Sequence, residues 1–241
     1  MISVPSRLIL WMLSQEAQVK CVTFSYFMRL LLYEATRSVA TLLPRGAVPL
    51  MRLLGADDPA VWQRNGSGST RIFFDRHIKR YVIADLREWS SRWHYLAGRH
   101  YDWPHQEVLR RILKPGDTYV DIGANRGVHT LLATALVGRQ GYVCSFEPNP
   151  ETFQVLQAHL LINGIENCKA LNLGLADAEG ELNLTSDDDS SGRCSFRFGD
   201  TKAGKRVPVV RGDDILASLP IRSKLFVKID TEGYEFHVLL T

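Results

Sequence analysis

Tyr119-Val-Asp-Ile-Gly-Ala-Asn-Arg-Gly-Val-His-Thr130 reads as an apolar strand closing on an acid, a turn bracketed by two glycines, and the opening of a helix. Glycine enters positive φ without a Cβ penalty and lets backbone come close to a ligand, while the first N–H groups of a helix lack intrahelical partners. Strand, turn and helix in this order form the unit with which an α/β sheet seats a nucleotide-like ligand, and the free N–H groups are expected to donate to it.

The dinucleotide fingerprint G-x-G-x-x-G places a second glycine where the pyrophosphate approaches and a third where the helix packs closest. Here those positions hold Gly123, Asn125 and Val128. Asn125 puts a side chain against the expected pyrophosphate, and Val128 puts a β-branched group at the helix approach. A dinucleotide is disfavoured. Asn tolerates the left-handed region and offers a donor and an acceptor, which suits a ligand with an amino acid and a ribose but no phosphate, such as S-adenosylmethionine. A second apolar run, Gly141-Tyr-Val-Cys-Ser-Phe146, ends at Glu147 and is followed by Pro148-Asn149-Pro150. An acid at a strand end can accept from two ribose hydroxyls, and ligands of open α/β sheets gather outside the carboxyl ends of the strands. Asp121 and Glu147 both belong to that edge, although each could equally cap the helix after it.

Val120-Asp-Ile-Gly-Ala-Asn-x-Gly127, Phe146-Glu-Pro-Asn-Pro150, Asn163-Gly164 and Val227-Lys-Ile-Asp-Thr-Glu-Gly-Tyr-Glu235 resemble the successive motifs of the FkbM-type S-adenosylmethionine-dependent methyltransferases, over roughly residues 101 to 241. The resemblance implies a class I methyltransferase fold, a Rossmann-like parallel sheet with flanking helices. It also implies O-methylation of a hydroxyl on a sugar or natural-product-like acceptor. The expected cofactor-binding residues are Asp121, Gly123, Ala124, Asn125, Gly127, Glu147, Asn149 and Asp177. Asp177 follows the strand Lys169-Ala-Leu-Asn-Leu173 and either contacts the adenine amino group or makes a plain turn in Asp177-Ala-Glu-Gly180. The last clear strand, Leu225-Phe-Val-Lys-Ile229, delivers Asp230, Glu232 and Glu235 to the same edge. Methyl transfer needs an acceptor held in line with the methyl and a base for the hydroxyl proton, and Asp230, then Glu232, are the candidates. Lys228 alternates with apolar neighbours and points to the other face or pairs with an acid.

Composition fits a globular enzyme: 241 residues, 45% hydrophobic and 23% charged, with a net charge of +3. Basic residues concentrate before residue 116 and acidic ones after it. The basic stretch interleaves Trp89, Trp93, Tyr95, Tyr101 and Trp103, a pattern that could track a nucleic-acid backbone. Arg and Trp more often cover apolar surface, so no strong nucleic-acid signal is read. Four cysteines, Cys21, Cys144, Cys168 and Cys194, form no metal-ligand pair, no metal site is expected, and a reducing, cytoplasmic setting is the default. Asp187-Asp-Asp189 reads as part of a polar loop over 186–206, because consecutive side chains do not converge on one ion.

The expected organisation is a helical N-terminal region at 1–60, a connector with a hairpin and the basic-aromatic segment at 61–100, and the cofactor domain at 101–241. Charged residues interrupt every apolar window near the N-terminus, so no transmembrane helix is expected. Within the last region, Gln106–Leu113, Val128–Leu136 and Glu151–Asn163 are predicted helices alternating with strands, and Glu107 either reaches the pocket or sits on a charged face. The sequence closes at Val238-Leu-Leu-Thr241, after the fourth strand, where a class I methyltransferase supplies three more. The expectation is a fragment, or a sheet edge completed by a partner or by self-association. Two alternatives to the methyltransferase reading follow: a catalytically inactive cofactor-binding remnant and a dinucleotide-dependent oxidoreductase.

Overall fold

The computed structural model describes residues 69–186, 194–197 and 204–240. The helices expected over 1–60, nearly all of the 44–70 connector and the Asp187–Asp189 run lie outside the described residues. Those described fall into two compact units, one of residues 69–77 and 82–101, the other of 78–81 and 102–240.

In the first unit, β1 (Thr70–Asp75) and β2 (Arg80–Asp85) form the expected hairpin. Their alternation turns Phe73, Asp75, Val82 and Ala84 inward. The basic-aromatic stretch is a helix, α1 (Trp89–Ala97), started by a Glu88 carboxylate that accepts from the Ser91 N–H and stopped by Gly98 in the left-handed region. Its polar residues turn inward: His94 Nε2 lies 2.6 Å from Asp75 Oδ2, and the buried Arg92 guanidinium donates to the carbonyls of Leu86 and Arg87. Much of this basic segment thus serves its own unit.

The second unit opens with α2 (Trp103–Ile112), whose Glu107 pairs with Arg110 at 3.3 Å on the exposed side. Then β3 (Thr118–Ile122), α3 (Val128–Val137), β4 (Tyr142–Phe146), α4 (Pro150–Ile162) and β5 (Cys168–Leu171) alternate as parallel crossovers. With β10 (Leu225–Ile229) they give a four-stranded parallel sheet in the order β10-β3-β4-β5. β3 is buried along its whole length, as a central parallel strand must be. Val120, Ile122, Cys144 and Phe146 face one core with Leu175, Val209, Tyr234 and Val238. Burial raises the thiols of Cys144 and Cys168 to about 11 and about 12, so both behave as small core residues.

Two expectations change. The strand foreseen to Leu173 ends at Leu171, because the Asn172 amide donates to the carbonyls of Glu147 and Pro148, at 2.8 and 3.1 Å, in place of ladder pairing. Gly174–Leu175 (β6) then joins a second sheet with β7 (Gly180–Ser186), β8 (Cys194–Arg197) and β9 (Lys205–Val210), in the order β6-β9-β7-β8. The expected polar loop over 186–206 therefore contains a strand, β8, antiparallel to β7. A short helix, α5 (Gly212–Leu216), leads toward β10, and α6 (Glu235–Leu239) follows it. Among the described residues β10 pairs on one side alone, with Leu225 and Val227 exposed.

Candidate cofactor-binding and catalytic site

The turn after β3 is a strained loop held from three sides. Gly123, Asn125 and Gly127 have φ of 73°, 51° and 82°. A Cβ on Gly123 would stand 2.0 Å from the Asp230 carbonyl oxygen, and one on Gly127 would stand 2.2 Å from Leu156 Cδ1. The missing side chains let β10 and α4 close on the turn. The Arg126 carbonyl accepts from Nδ1 of the buried His159 at 2.7 Å, which fixes the loop from α4. We expect Gly123→Ala to lose about 1–3 kcal/mol from its φ alone and more from the backbone clash. Gly127→Ala should lose less, because it meets the movable end of a leucine. Thermal denaturation of the two variants would rank them, and the reverse order would overturn this packing account.

The N–H groups of the turn itself, from Gly123 to Gly127, are spent inside the protein. Gly123 and Ala124 donate to the Phe146 carbonyl, Gly127 donates to the Ala124 carbonyl, Asn125 donates to Glu147 Oε2 at 2.8 Å, and Arg126 donates to Asn125 Oδ1. A pyrophosphate would need such donors. What the site offers instead is an acceptor. Glu147 is buried at the end of β4, and each of its oxygens accepts one N–H, from Asn125 and from Asn149. A carboxylate has about four lone-pair sites, so capacity is left for a vicinal diol. Burial raises the Glu147 carboxyl to about 7, with Asp121 adding to the shift and the two N–H donors opposing it.

Asp121 is placed differently. It is fully buried, accepts from Thr130 Oγ1 at 2.7 Å and from Lys228 Nζ at 3.0 Å, and so braces β3 against α3 and β10. Lys228 also donates to the Gly123 carbonyl at 3.0 Å and stands 3.5 Å from Asp230 Oδ2. Burial alone would lower this ammonium, but Asp121 and Asp230 hold it above its ordinary value. Burial likewise pulls Asp121 up, and Lys228 with the Thr130 hydroxyl brings it below the usual range. Thr130 is the member of this network that motif reading left without a role, and Lys228 takes the second of its two expected positions, paired with an acid. Their signal was register: Lys228 lies beside Asp121 in the sheet, and Thr130 lies nine residues on, in α3.

The other expected residues divide by surroundings. Asn149 caps α4 by accepting from the Glu151 N–H. Asp177 is exposed, with Oδ2 3.7 Å from His237 Nδ1. Asp230 follows β10, its side chain 59% exposed, and its N–H donates to Ile122. Glu232 is exposed with φ of 53°. Glu235 instead accepts from the N–H groups of Thr231 and Gly233 and is held low despite partial burial. Of the three acids after β10, Asp230 and Glu232 are open to an incoming molecule.

A family model described as the methyltransferase FkbM domain matches residues 121–241. The chain belongs to the FkbM methyltransferase family. The FkbM domain thus spans the turn, Glu147 and the acids after β10, and its cofactor is S-adenosylmethionine. The residues fit that cofactor, since the buried Glu147 carboxylate keeps acceptor capacity suited to a diol and the N–H groups from Gly123 to Gly127 are already spent. The chain is 26% identical over 137 residues to the hexuronic acid methyltransferase AglP of Haloferax volcanii, a match covering 56% of this chain and 54% of AglP. It therefore spans about half the length of that curated relative. Among solved structures, methyltransferase FkbM from Methylobacillus flagellatus KT is similar at 16% identity and a TM-score of 0.36, covering 80% of this chain and 45% of that one. TYW2 of P. horikoshii in complex with MeSAdo is similar at 21% identity and a TM-score of 0.35, covering 45% and 38%. No helix among the described residues is long and apolar enough to cross a membrane.

Proposed function

We propose that this chain transfers a methyl group from S-adenosylmethionine to a hydroxyl of a sugar or natural-product-like acceptor. The carrying observation is the pairing of a buried acceptor, Glu147, on one side of the Gly123–Gly127 turn with an open carboxylate, Asp230, packed through its backbone on the other. The cofactor supplies an electrophilic methyl on a sulfonium sulfur. Glu147 would accept from the cofactor ribose, and Asp177 would take the adenine amino group. Asp230 orients the acceptor hydroxyl and takes its proton as the oxygen attacks, with Glu232 beside it. The name of the Haloferax relative supports a uronic acid or similar sugar as acceptor.

The test is incubation of the full chain with S-adenosylmethionine and a panel of hydroxylated acceptors, uronic acid glycans and neutral sugars among them. Release of S-adenosylhomocysteine with a matching methylated product is expected. Cofactor binding without transfer to any member would favour a binding remnant. The Glu147 assignment has its own check. Ribose hydroxyls donate to the ionised carboxylate, so affinity should rise with pH through about 7. If the protonated form does not bind, calorimetry should find about tenfold weaker binding at pH 6 than at pH 8. Glu147→Gln should flatten that dependence and bind more weakly at pH 8 by about 1–3 kcal/mol. Equal wild-type affinity at both pH values would remove Glu147 from the ribose.

A further inference from the structure

Asp102 stands at the N-cap of α2, where an aspartate ordinarily accepts from the N–H two or three residues on. Its carboxylate makes no such capping bond. Instead Oδ2 lies 3.4 Å from Nδ1 of His105 and 3.5 Å from Nε2 of His129. The first pair is one helical turn apart and shares a face. The third group comes from the first turn of α3, two residues beyond Gly127, and its ring centroid is 4.6 Å from that of His105. One donor atom from each residue lies within 4.8 Å of the others.

Two imidazoles and a carboxylate brought together from two helices at these distances are a donor set for a borderline-soft divalent ion. Bonds of about 2.0–2.2 Å in a tetrahedron separate neighbouring ligand atoms by about 3.3–3.6 Å, which the two aspartate–histidine distances match. Asp102 and His105 keep about a third of their side-chain surface exposed, 35% and 31%, which supplies an entry path.

We propose that Asp102, His105 and His129 bind one divalent transition-metal ion of the zinc class, with three protein ligands and at least one coordination position open to solvent. An ion here links the start of α2 to the first turn of α3, directly after the cofactor turn. The full chain, stripped by a chelator, is titrated with Zn2+ by calorimetry and with Co2+ by visible absorption, in the absence of cofactor and acceptor, so the outcome is separate from that of methyl transfer. One ion per chain is expected, with the intense d–d bands of four- or five-coordinate cobalt. Asp102→Asn and His105→Ala should each weaken Zn2+ binding by at least roughly tenfold. Should either variant misfold, paramagnetic displacement of the His105 and His129 ring proton resonances by Co2+ in the wild-type chain reads the same site. No binding, binding of unchanged strength in folded variants, or Co2+ that leaves both rings undisplaced would each overturn the proposal.

Discussion

Lys228→Met is expected to destabilise the fold by about 3–5 kcal/mol, the range for removing one partner of a buried charge pair. The ammonium is 6% exposed and serves three groups: Asp121 in the sheet, the Gly123 carbonyl in the turn, and Asp230. Methionine keeps much of the bulk but leaves Asp121 with the Thr130 hydroxyl and no counter-charge in an apolar setting. The pH dependence follows in sign. Asp121 is held below its ordinary 3.8, so its contribution is present above that value and is lost as pH falls through the lowered one; Lys228, raised above 10.5, contributes until pH climbs through its raised value. Across the neutral range the gap between wild type and variant should be flat. On acidification it should narrow, because the orphaned Asp121 takes up a proton readily while the wild-type pair must give up its ion pair. Denaturant melts at pH 7 and pH 4 measure this, and Asp121→Asn combined with Lys228→Met should recover part of the loss. A variant gap below about 1 kcal/mol at pH 7, typical of an exposed pair, would mean that solvent reaches the pair.

This network also shows which parts of the molecule were legible from sequence. The parallel strands read correctly because they are near-continuous apolar runs with turn residues at both ends, as in the buried Tyr142–Phe146 and in Leu225–Ile229, where Leu225 and Val227 are exposed. The turn was recognisable because Gly123, Asn125 and Gly127 supply the residue types that positive φ demands. What sequence could not reveal was the destination of hydrogen bonds. The N–H groups of Gly123, Ala124 and Asn125 are taken by the Phe146 carbonyl and Glu147, which arrive from the neighbouring strand. Asp121 looked like a ligand-facing acid because it ends a strand, yet its register beside Lys228 turns it into a brace. Asn172 ended β5 through a side-chain bond to a distant backbone, which no local propensity encodes. Asp102 and His105 stand three apart at a helix start, and His129 joins them only once α2 and α3 are packed, a convergence that the sequence reading did not include.

The largest effect on chemistry is expected at Asp230. If this carboxylate takes the acceptor proton, Asp230→Asn should lower turnover by about 10²–10⁴-fold, the usual span for a positioned base, while cofactor affinity stays close to wild type. The separation is sharp because the two acids stand in different surroundings. Glu147 is buried and bonded to the turn, so its loss is felt in binding; Asp230 is 59% exposed and meets the turn through its carbonyl, which any residue supplies. Asparagine keeps the side-chain shape but removes one of the two carboxylates facing Lys228, so a stability cost of up to about 1 kcal/mol is expected, and a thermal melt beside the assay separates it from lost turnover. Lost turnover then reports chemistry. Glu232→Gln is the internal comparison: its left-handed backbone sets a second carboxylate beyond the same strand, and a smaller loss is expected there. A greater loss at Glu232 would exchange the two roles. Weakening of cofactor binding by Asp230→Asn as large as that from Glu147→Gln would instead place Asp230 against the cofactor, and the base would have to come from Glu232 or from the acceptor's own carboxylate.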